Sequence, residues 1–120
     1  MSMKVLIADD DFGMRLVLKK ALEEVAEIKI LGEAADGEEA LQLYDKYQPD
    51  IVFLDVEMPK LTGLACAKAI MDFNPKTIII FVTAHSEYMP EAFELYAFDY
   101  LVKPFKIERL HQTLQRIKAT

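Results

Sequence analysis

The chain has 120 residues, of which 52% are hydrophobic, a size and composition typical of one globular domain with a buried core. Lysine and arginine number 14 against 20 aspartates and glutamates, so the formal charge of −6 excludes the basic surface that nucleic acids and anionic membranes attract. Cys66 is the single cysteine, no secretory signal is visible, and no apolar stretch approaches the ~20 residues of a membrane helix. We therefore expect a cytoplasmic domain that contacts neither nucleic acid nor membrane.

Apolar blocks alternate with amphipathic blocks along the chain. Short continuous apolar stretches predict buried strands, and apolar residues at helical spacing predict helices. In chain order, the sequence predicts a strand at 4–8, a helix at 12–27, a strand at 28–34, a helix at 36–47, a strand at 50–55, a helix at 63–73, a strand at 77–83, a helix at 87–96, a strand at 98–102 and a helix at 107–118. This alternation predicts a doubly wound α/β domain of the flavodoxin-like class, in which five parallel strands take the common order 2-1-3-4-5.

Polar residues stand at the end of most of the predicted strands. Asp9 and Asp10 follow the first strand, Asp55 ends the third, Thr83 ends the fourth, and Lys103 follows the fifth. In open α/β sheets, the site lies outside the carboxyl ends of the strands. The order 2-1-3-4-5 makes the first and third strands neighbours, about 4.8 Å apart. We therefore expect Asp55 to lie within a few ångströms of the adjacent aspartate pair.

Three carboxylates so close together cannot all stay ionised without compensation. A divalent cation would supply it, and an all-oxygen ligand set with room for water favours Mg²⁺ over Zn²⁺. With Lys103 the site becomes neutral and can accept an anion, for which a phosphoryl group is the best candidate. In this interpretation Asp9 and Asp10 bind the metal, Asp55 is the nucleophile, and Thr83 contacts the phosphoryl oxygens together with the lysine.

The segments LIADDDFGMR, VFLDVEMPKLTGL, FVTA and DYLVKPF, in this order and spacing, resemble the receiver domain of two-component response regulators. The resemblance covers essentially the whole chain, and EAFELYAFDYLVKPF is similar to the LytR/AlgR subgroup, whose receivers precede a β-rich DNA-binding domain. It implies that 1–120 form one receiver domain and that any output domain lies beyond the chain given. A stand-alone receiver is the alternative. In this family the bond equivalent to Lys103–Pro104 is cis.

The resemblance also implies roles for individual acidic residues. Asp55 would accept a phosphoryl group from a sensor histidine kinase. Asp9, Asp10 and Asp55 would bind Mg²⁺, and the backbone carbonyl of Glu57 would be a further ligand. The domain would catalyse only its own phosphorylation and dephosphorylation, and would regulate transcription through the missing DNA-binding domain.

Two further pairs of residues would govern the signal. Thr83 and Tyr100 would form a switch, in which phosphorylation draws the threonine hydroxyl towards the phosphoryl group and the tyrosine turns into the vacated space. The face made by the fourth helix, fifth strand and fifth helix would change, with a phosphorylation-dependent homodimer as the readout. Glu57 and His85, each two residues after a site residue, would flank the path of the hydrolytic water and tune dephosphorylation.

Two other classes of protein fit part of this pattern. Haloacid-dehalogenase-type phosphatases carry Asp-x-Asp-x-Thr after their first strand, which would make Asp9 the nucleophile. Gly13 stands at the threonine position, no acidic pair follows Lys103, and Asp55 would have no role. A flavin-binding module would need a phosphate-binding loop rich in Gly, Ser or Thr after the first strand, and the sequence has none there. The pattern therefore favours the receiver.

Overall fold

The structure is a computed structural model that describes residues 2–119. Within this range, strands and helices alternate from the N-terminus to the C-terminus. The elements are β1 (Met3–Ala8), α1 (Phe12–Glu23), β2 (Ile28–Ala34), α2 (Gly37–Tyr47), β3 (Ile51–Leu54), α3 (Gly63–Phe73), β4 (Ile78–Thr83), α4 (Met89–Glu94), β5 (Asp99–Val102) and α5 (Ile107–Lys118), with a 3₁₀ turn (Ser86–Tyr88) before α4. None of the helices within 2–119 has the length and hydropathy needed to cross a membrane.

The five strands form one parallel sheet in the order β2-β1-β3-β4-β5, which confirms the predicted topology. Alternate strand residues point to opposite faces, and each face is covered by helices. The α2, α3 and α4 helices pack on one face, and α1 and α5 pack on the other. The direct pairing of β1 with β3 brings Ala8 opposite Leu54, so the residues that follow these two strands are neighbours.

Two predicted helix boundaries differ from those in the structure. The first helix ends at Glu23, four residues early, because the Val25 N–H donates to the Leu22 carbonyl in a turn that leads into β2. The fourth helix begins as a 3₁₀ turn and becomes α-helical at Met89, where Pro90 fits the first turn because its missing N–H would have no partner there. The Lys103–Pro104 bond is cis, as the resemblance implied.

Asp99, the first residue of β5, is a buried carboxylate that attaches α5 to the sheet. It is 4% exposed and accepts hydrogen bonds from Arg109 at 2.8 and 2.9 Å, from the Thr113 hydroxyl at 2.6 Å and from the Tyr100 N–H at 2.8 Å. Burial alone would raise the pKa of Asp99, but the hydrogen bonds from Arg109 and Thr113 outweigh burial and lower it. The helix is thereby fixed to the strand that carries Tyr100.

We predict that Asp99→Asn lowers the free energy of unfolding by about 2–3 kcal/mol at pH 7, because the amide loses charge-assisted hydrogen bonds. Folding lowers the pKa of Asp99, so its stabilisation is present above the ordinary value of 3.8 and is lost as the pH falls through the folded value. The difference between wild type and variant should therefore shrink as the pH falls below 3.8. Urea unfolding at several pH values measures it.

Asp72→Asn is the matched control for this prediction. Asp72 forms an exposed ion pair with Lys68 at 3.3 Å, four residues apart on α3. Such pairs contribute about 0.3–0.5 kcal/mol, so this variant should stay close to wild type at every pH. A difference between wild type and Asp99→Asn that does not shrink as the pH is lowered below 3.8 would contradict the assignment.

Candidate functional site

The carboxyl ends of the strands bring four of the predicted site residues together. One carboxylate oxygen from each of Asp9, Asp10 and Asp55 lies within 4.8 Å of the other two. The Lys103 Nζ donates to Asp9 Oδ2 at 2.7 Å and to Asp55 Oδ2 at 3.0 Å. One ammonium group therefore bridges the buried carboxylates at the ends of β1 and β3.

Burial sets the electrostatics of this cluster. It is the largest effect on Asp9 and raises the pKa of that carboxyl, although hydrogen bonds from Lys103 and from the Asp11 N–H oppose it. Burial alone would lower the pKa of Lys103, but its hydrogen bonds to Asp9 and Asp55 outweigh burial and raise it. The lysine is therefore held as a cation between the two acids.

The three consecutive aspartates have three different positions. Asp9 is buried, whereas Asp10 is exposed at the mouth of the cluster. Asp11 caps α1, since its carboxylate accepts a hydrogen bond from the Met14 N–H at 3.3 Å. Two of the three are therefore free of a helix-capping role and belong to the carboxylate cluster.

Asp55 is held by the backbone around it. Its N–H donates to the Ala8 carbonyl at 3.0 Å, and its Oδ1 accepts the Glu57 N–H at 3.2 Å. Gly63 packs directly on this backbone, where an added Cβ would lie 2.0 Å from the Asp55 carbonyl oxygen. The Gly63 N–H also donates to the Val56 carbonyl at 2.7 Å. Only glycine fits this contact, which fixes the loop that positions the Asp55 side chain.

Thr83 and Tyr100 both bind the backbone of His85. The fully buried Thr83 hydroxyl accepts the His85 N–H at 3.3 Å, and the Tyr100 hydroxyl donates to the His85 carbonyl. The Tyr100 ring is buried against Phe81, with 5.9 Å between ring centroids. Burial raises the pKa of Tyr100 to about 12, so its hydroxyl stays protonated and can donate. The tyrosine therefore already occupies the inward position in this structure.

Glu57 and His85, predicted to flank the path of the hydrolytic water, contact each other. His85 Nε2 lies 3.2 Å from Glu57 Oε1, and the Tyr88 hydroxyl donates to Glu57 Oε2 at 3.2 Å. A second acid, Glu87, lies 3.6 Å from His85 Nδ1. The sequence did not indicate Tyr88, because its contact with Glu57 depends on the path of the 3₁₀ turn that precedes α4.

The family model of the response regulator receiver domain matches residues 5–115. This chain belongs to that family. The receiver is 42% identical over 115 residues to the transcriptional regulatory protein BtsR of Salmonella typhi and 41% identical over 116 residues to the sensory transduction protein LytT of Bacillus anthracis. These matches cover 96% and 97% of the receiver but 48% and 47% of the relatives, so the chain spans about half the length of the curated relatives it matches.

Solved structures agree with this assignment. The receiver matches the response regulatory domain of protein MrkE from Klebsiella pneumoniae with a TM-score of 0.92 and 36% identity, over 98% of this chain and 96% of that one. It also matches a chain of the CheX–CheY–BeF₃–Mg²⁺ complex from Borrelia burgdorferi with a TM-score of 0.88 and 29% identity, over 96% of this chain and 88% of that one. Both the flavodoxin-like receiver fold and the LytR/AlgR-like relationship predicted from the sequence are thereby confirmed.

Proposed function

We propose that Asp55 of this receiver accepts a phosphoryl group from a sensor histidine kinase, with Asp9 and Asp10 as metal ligands. The observation that carries this proposal is the bridge from Lys103 to Asp9 and Asp55. It pairs the buried Asp55 carboxylate with a cation at the carboxyl ends of the strands. Asp55 is the nucleophile because the Glu57 N–H and Lys103 hold its two oxygens in place. This arrangement suits in-line attack on phosphorus.

The donor set fits Mg²⁺. The cluster offers three carboxylate oxygens and neither sulfur nor imidazole nitrogen, which is the preference of a hard cation. Asp10 is exposed, which leaves space for the water ligands that Mg²⁺ retains. The Glu57 carbonyl is the further ligand that the family resemblance implies. When bound, the ion supplies positive charge to the phosphoryl oxygens, and the related CheY complex contains both Mg²⁺ and beryllofluoride.

Asp55, Lys103 and Thr83 each take part in the proposed transfer of the phosphoryl group. A carboxylate oxygen of Asp55 forms a bond to phosphorus, while the bond from phosphorus to the donor imidazole nitrogen breaks and its electron pair stays on nitrogen. The Lys103 ammonium then stabilises negative charge on the transferred group. The Thr83 hydroxyl accepts the His85 N–H, so its own proton is free to donate to a phosphoryl oxygen.

The domain acts in the cytoplasm as a signalling phosphoacceptor that catalyses only its own phosphorylation and dephosphorylation. Its relatives are about twice as long, and one of them is named a transcriptional regulator. We therefore propose that a DNA-binding domain in the same protein reads the state of the receiver and regulates transcription. A stand-alone receiver is the second possibility.

Acetyl phosphate and Mg²⁺ should add one phosphoryl group to the wild-type chain, as measured by intact mass. Asp55→Asn should gain none, because the nucleophile is absent. Asp10→Asn should react at least about tenfold more slowly, because a metal ion contributes several kcal/mol of charge stabilisation. Asp11→Asn is the matched control and should react like wild type, since asparagine caps a helix as well as aspartate does. Phosphorylation at Asp9 would instead support the phosphatase alternative.

Glu57 and His85 are proposed to set how long the phosphoryl group survives. His85 follows Thr83 by two residues in the chain, and its imidazole contacts Glu57 and Glu87. Nε2 is paired with Glu57 at 3.2 Å, whereas Nδ1 lies 3.6 Å from Glu87, beyond hydrogen-bond distance, so Nδ1 is the nitrogen available to accept a proton from the attacking water. The Tyr88 hydroxyl, in turn, orients the Glu57 carboxylate. This arrangement favours hydrolysis with His85 as general base.

His85→Ala should therefore slow the loss of the phosphoryl group from Asp55 by about tenfold. This factor is smaller than the usual contribution of a general base, because the imidazole is partly exposed. Intact mass followed over time measures the decay. His111→Ala is the matched control, because His111 is exposed on α5, away from the strand ends. Equal decay rates in the two variants would contradict the role of His85.

We also propose that Thr83 and Tyr100 transmit phosphorylation to the face made by α4, β5 and α5. Both side chains bind the backbone of His85, so a shift of the Thr83 hydroxyl towards the phosphoryl group changes the segment that Tyr100 contacts. The inward Tyr100 is stabilised by its hydrogen bond and by Phe81. A symmetric dimer through this face is the proposed readout.

Beryllofluoride with Mg²⁺ should shift the wild-type receiver from monomer to dimer in sedimentation. Tyr100→Phe keeps the ring but loses the bond to His85, so its beryllofluoride-dependent dimer should be about fivefold weaker. Tyr47→Phe is the control, because Tyr47 lies on α2, away from this face. A wild-type chain that stays monomeric, or a Tyr100→Phe dimer of wild-type strength, would refute this readout.

A further inference from the structure

Arg15, in the first turns of α1, is a cation beside the carboxylate cluster to which the proposed chemistry gives no role. Its Nη1 donates to the Asp9 carbonyl at 2.6 Å, and its Nε lies 3.4 Å from Glu33 Oε1 at the end of β2. The side chain is 14% exposed. A positive charge near a helix N-terminus is unfavourable for the helix dipole, and here the ion pair with Glu33 and the Phe12 ring, whose centroid is 5.5 Å from the guanidinium carbon, offset that cost.

The contact of Arg15 completes the set of bonds that immobilise Asp9. The Asp9 N–H donates to the Ala34 carbonyl at 3.0 Å, its Oδ1 accepts the Asp11 N–H, and its Oδ2 accepts from Lys103. The remaining polar group of Asp9 is the carbonyl, and Arg15 binds it. Every polar group of Asp9 therefore has a partner, and the plane of the peptide that follows it is fixed.

That peptide joins Asp9 to Asp10, the exposed member of the cluster. Within residues 2–119 the Asp10 carboxylate has neither a hydrogen bond nor an ion pair, so no side-chain contact orients it. Its direction depends on the backbone, and Arg15 is the side chain that holds this backbone from outside the loop. Glu33 forms an ion pair with Arg15, although within residues 2–119 the buried Arg15 Nε makes no hydrogen bond, and Glu33 is also paired with Lys19 at 3.4 Å.

We propose that Arg15 is a positioning residue for Mg²⁺, which aims the Asp10 carboxylate by fixing the Asp9–Asp10 peptide, and that Glu33 orients Arg15 for this task. The inference rests on the proposed Mg²⁺ site. It extends that site by a shell of residues that never touch the ion. Such outer residues commonly change metal affinity when they are replaced.

A role of Arg15 as a repelling charge and a role in positioning Asp10 predict opposite changes in Mg²⁺ affinity when Arg15 is replaced. If Arg15 acted only as a nearby positive charge, its removal would strengthen Mg²⁺ binding, because a repelling cation is lost and Glu33 is left unneutralised. If Arg15 positions Asp10, its removal weakens binding. The sign of the change therefore separates the two.

The experiment is calorimetric titration of the unphosphorylated chain with Mg²⁺ alone. Arg15→Met should bind Mg²⁺ at least about tenfold more weakly than wild type. Arg15→Lys keeps a donor that can reach towards the Asp9 carbonyl, so its affinity should lie between those two. Lys19→Met is the matched control, because it removes a cation that pairs with Glu33 but makes no contact with Asp9. This control should bind like wild type or more tightly.

Arg15→Gln is measured in parallel as a second neutral variant, and circular dichroism shows whether each variant is folded. If one of the two does not fold, the Mg²⁺ affinity of the other gives the result. Affinity equal to or above wild type in a folded neutral variant would overturn the positioning role. Equal weakening by Lys19→Met would overturn it too, since general charge or the Glu33 network would then be the cause. Failure of the wild-type chain to bind Mg²⁺ would instead refute the proposed metal site itself.

Discussion

A single lysine between two buried carboxylates is the interaction on which this receiver depends. Buried charges are costly unless they are paired, and Asp9 and Asp55 are brought together by the pairing of β1 with β3. Lys103 follows β5, two strands away from β3, and its long stem spans β4 to reach both acids. The sheet can therefore hold two buried carboxylates at the carboxyl ends of its inner strands, because another strand supplies the counter-charge. The proposed phosphoryl group would add negative charge at the point where this cation is already held.

The surroundings of the cluster divide into a rigid side and an adaptable side. On the rigid side, Gly63 packs on the Asp55 backbone and Asp9 has a partner for each polar group. On the adaptable side, Thr83 and Tyr100 meet at one residue, His85, through two single hydrogen bonds. Each such bond contributes about 1 kcal/mol net, so this side can rearrange while Asp55 stays in place.

Sequence reasoning predicted the sheet and the cluster because both follow from periodicity and strand order. Apolar stretches located the strands, and residues that end parallel strands must meet at one edge. It did not predict the contacts of Arg15 with Asp9 or of Tyr88 with Glu57. Those contacts depend on loop paths and side-chain reach, which leave no periodic pattern. The end of α1 was placed late for a related reason, since Val25 is apolar at helical spacing although its backbone already forms a turn.

In the proposed mechanism, His85 takes part both in the loss of the phosphoryl group and in the switch. Its backbone contacts Thr83 and Tyr100, while its imidazole contacts Glu57. Under this proposal, replacing the imidazole alone changes the lifetime of the phosphoryl group and leaves both backbone hydrogen bonds of the switch in place. An insertion or a proline at 84–86 would change the backbone path, and with it both the lifetime and the switch. Substitution of the side chain at position 85 can therefore tune the lifetime by itself, whereas a change of backbone path there cannot tune the switch by itself.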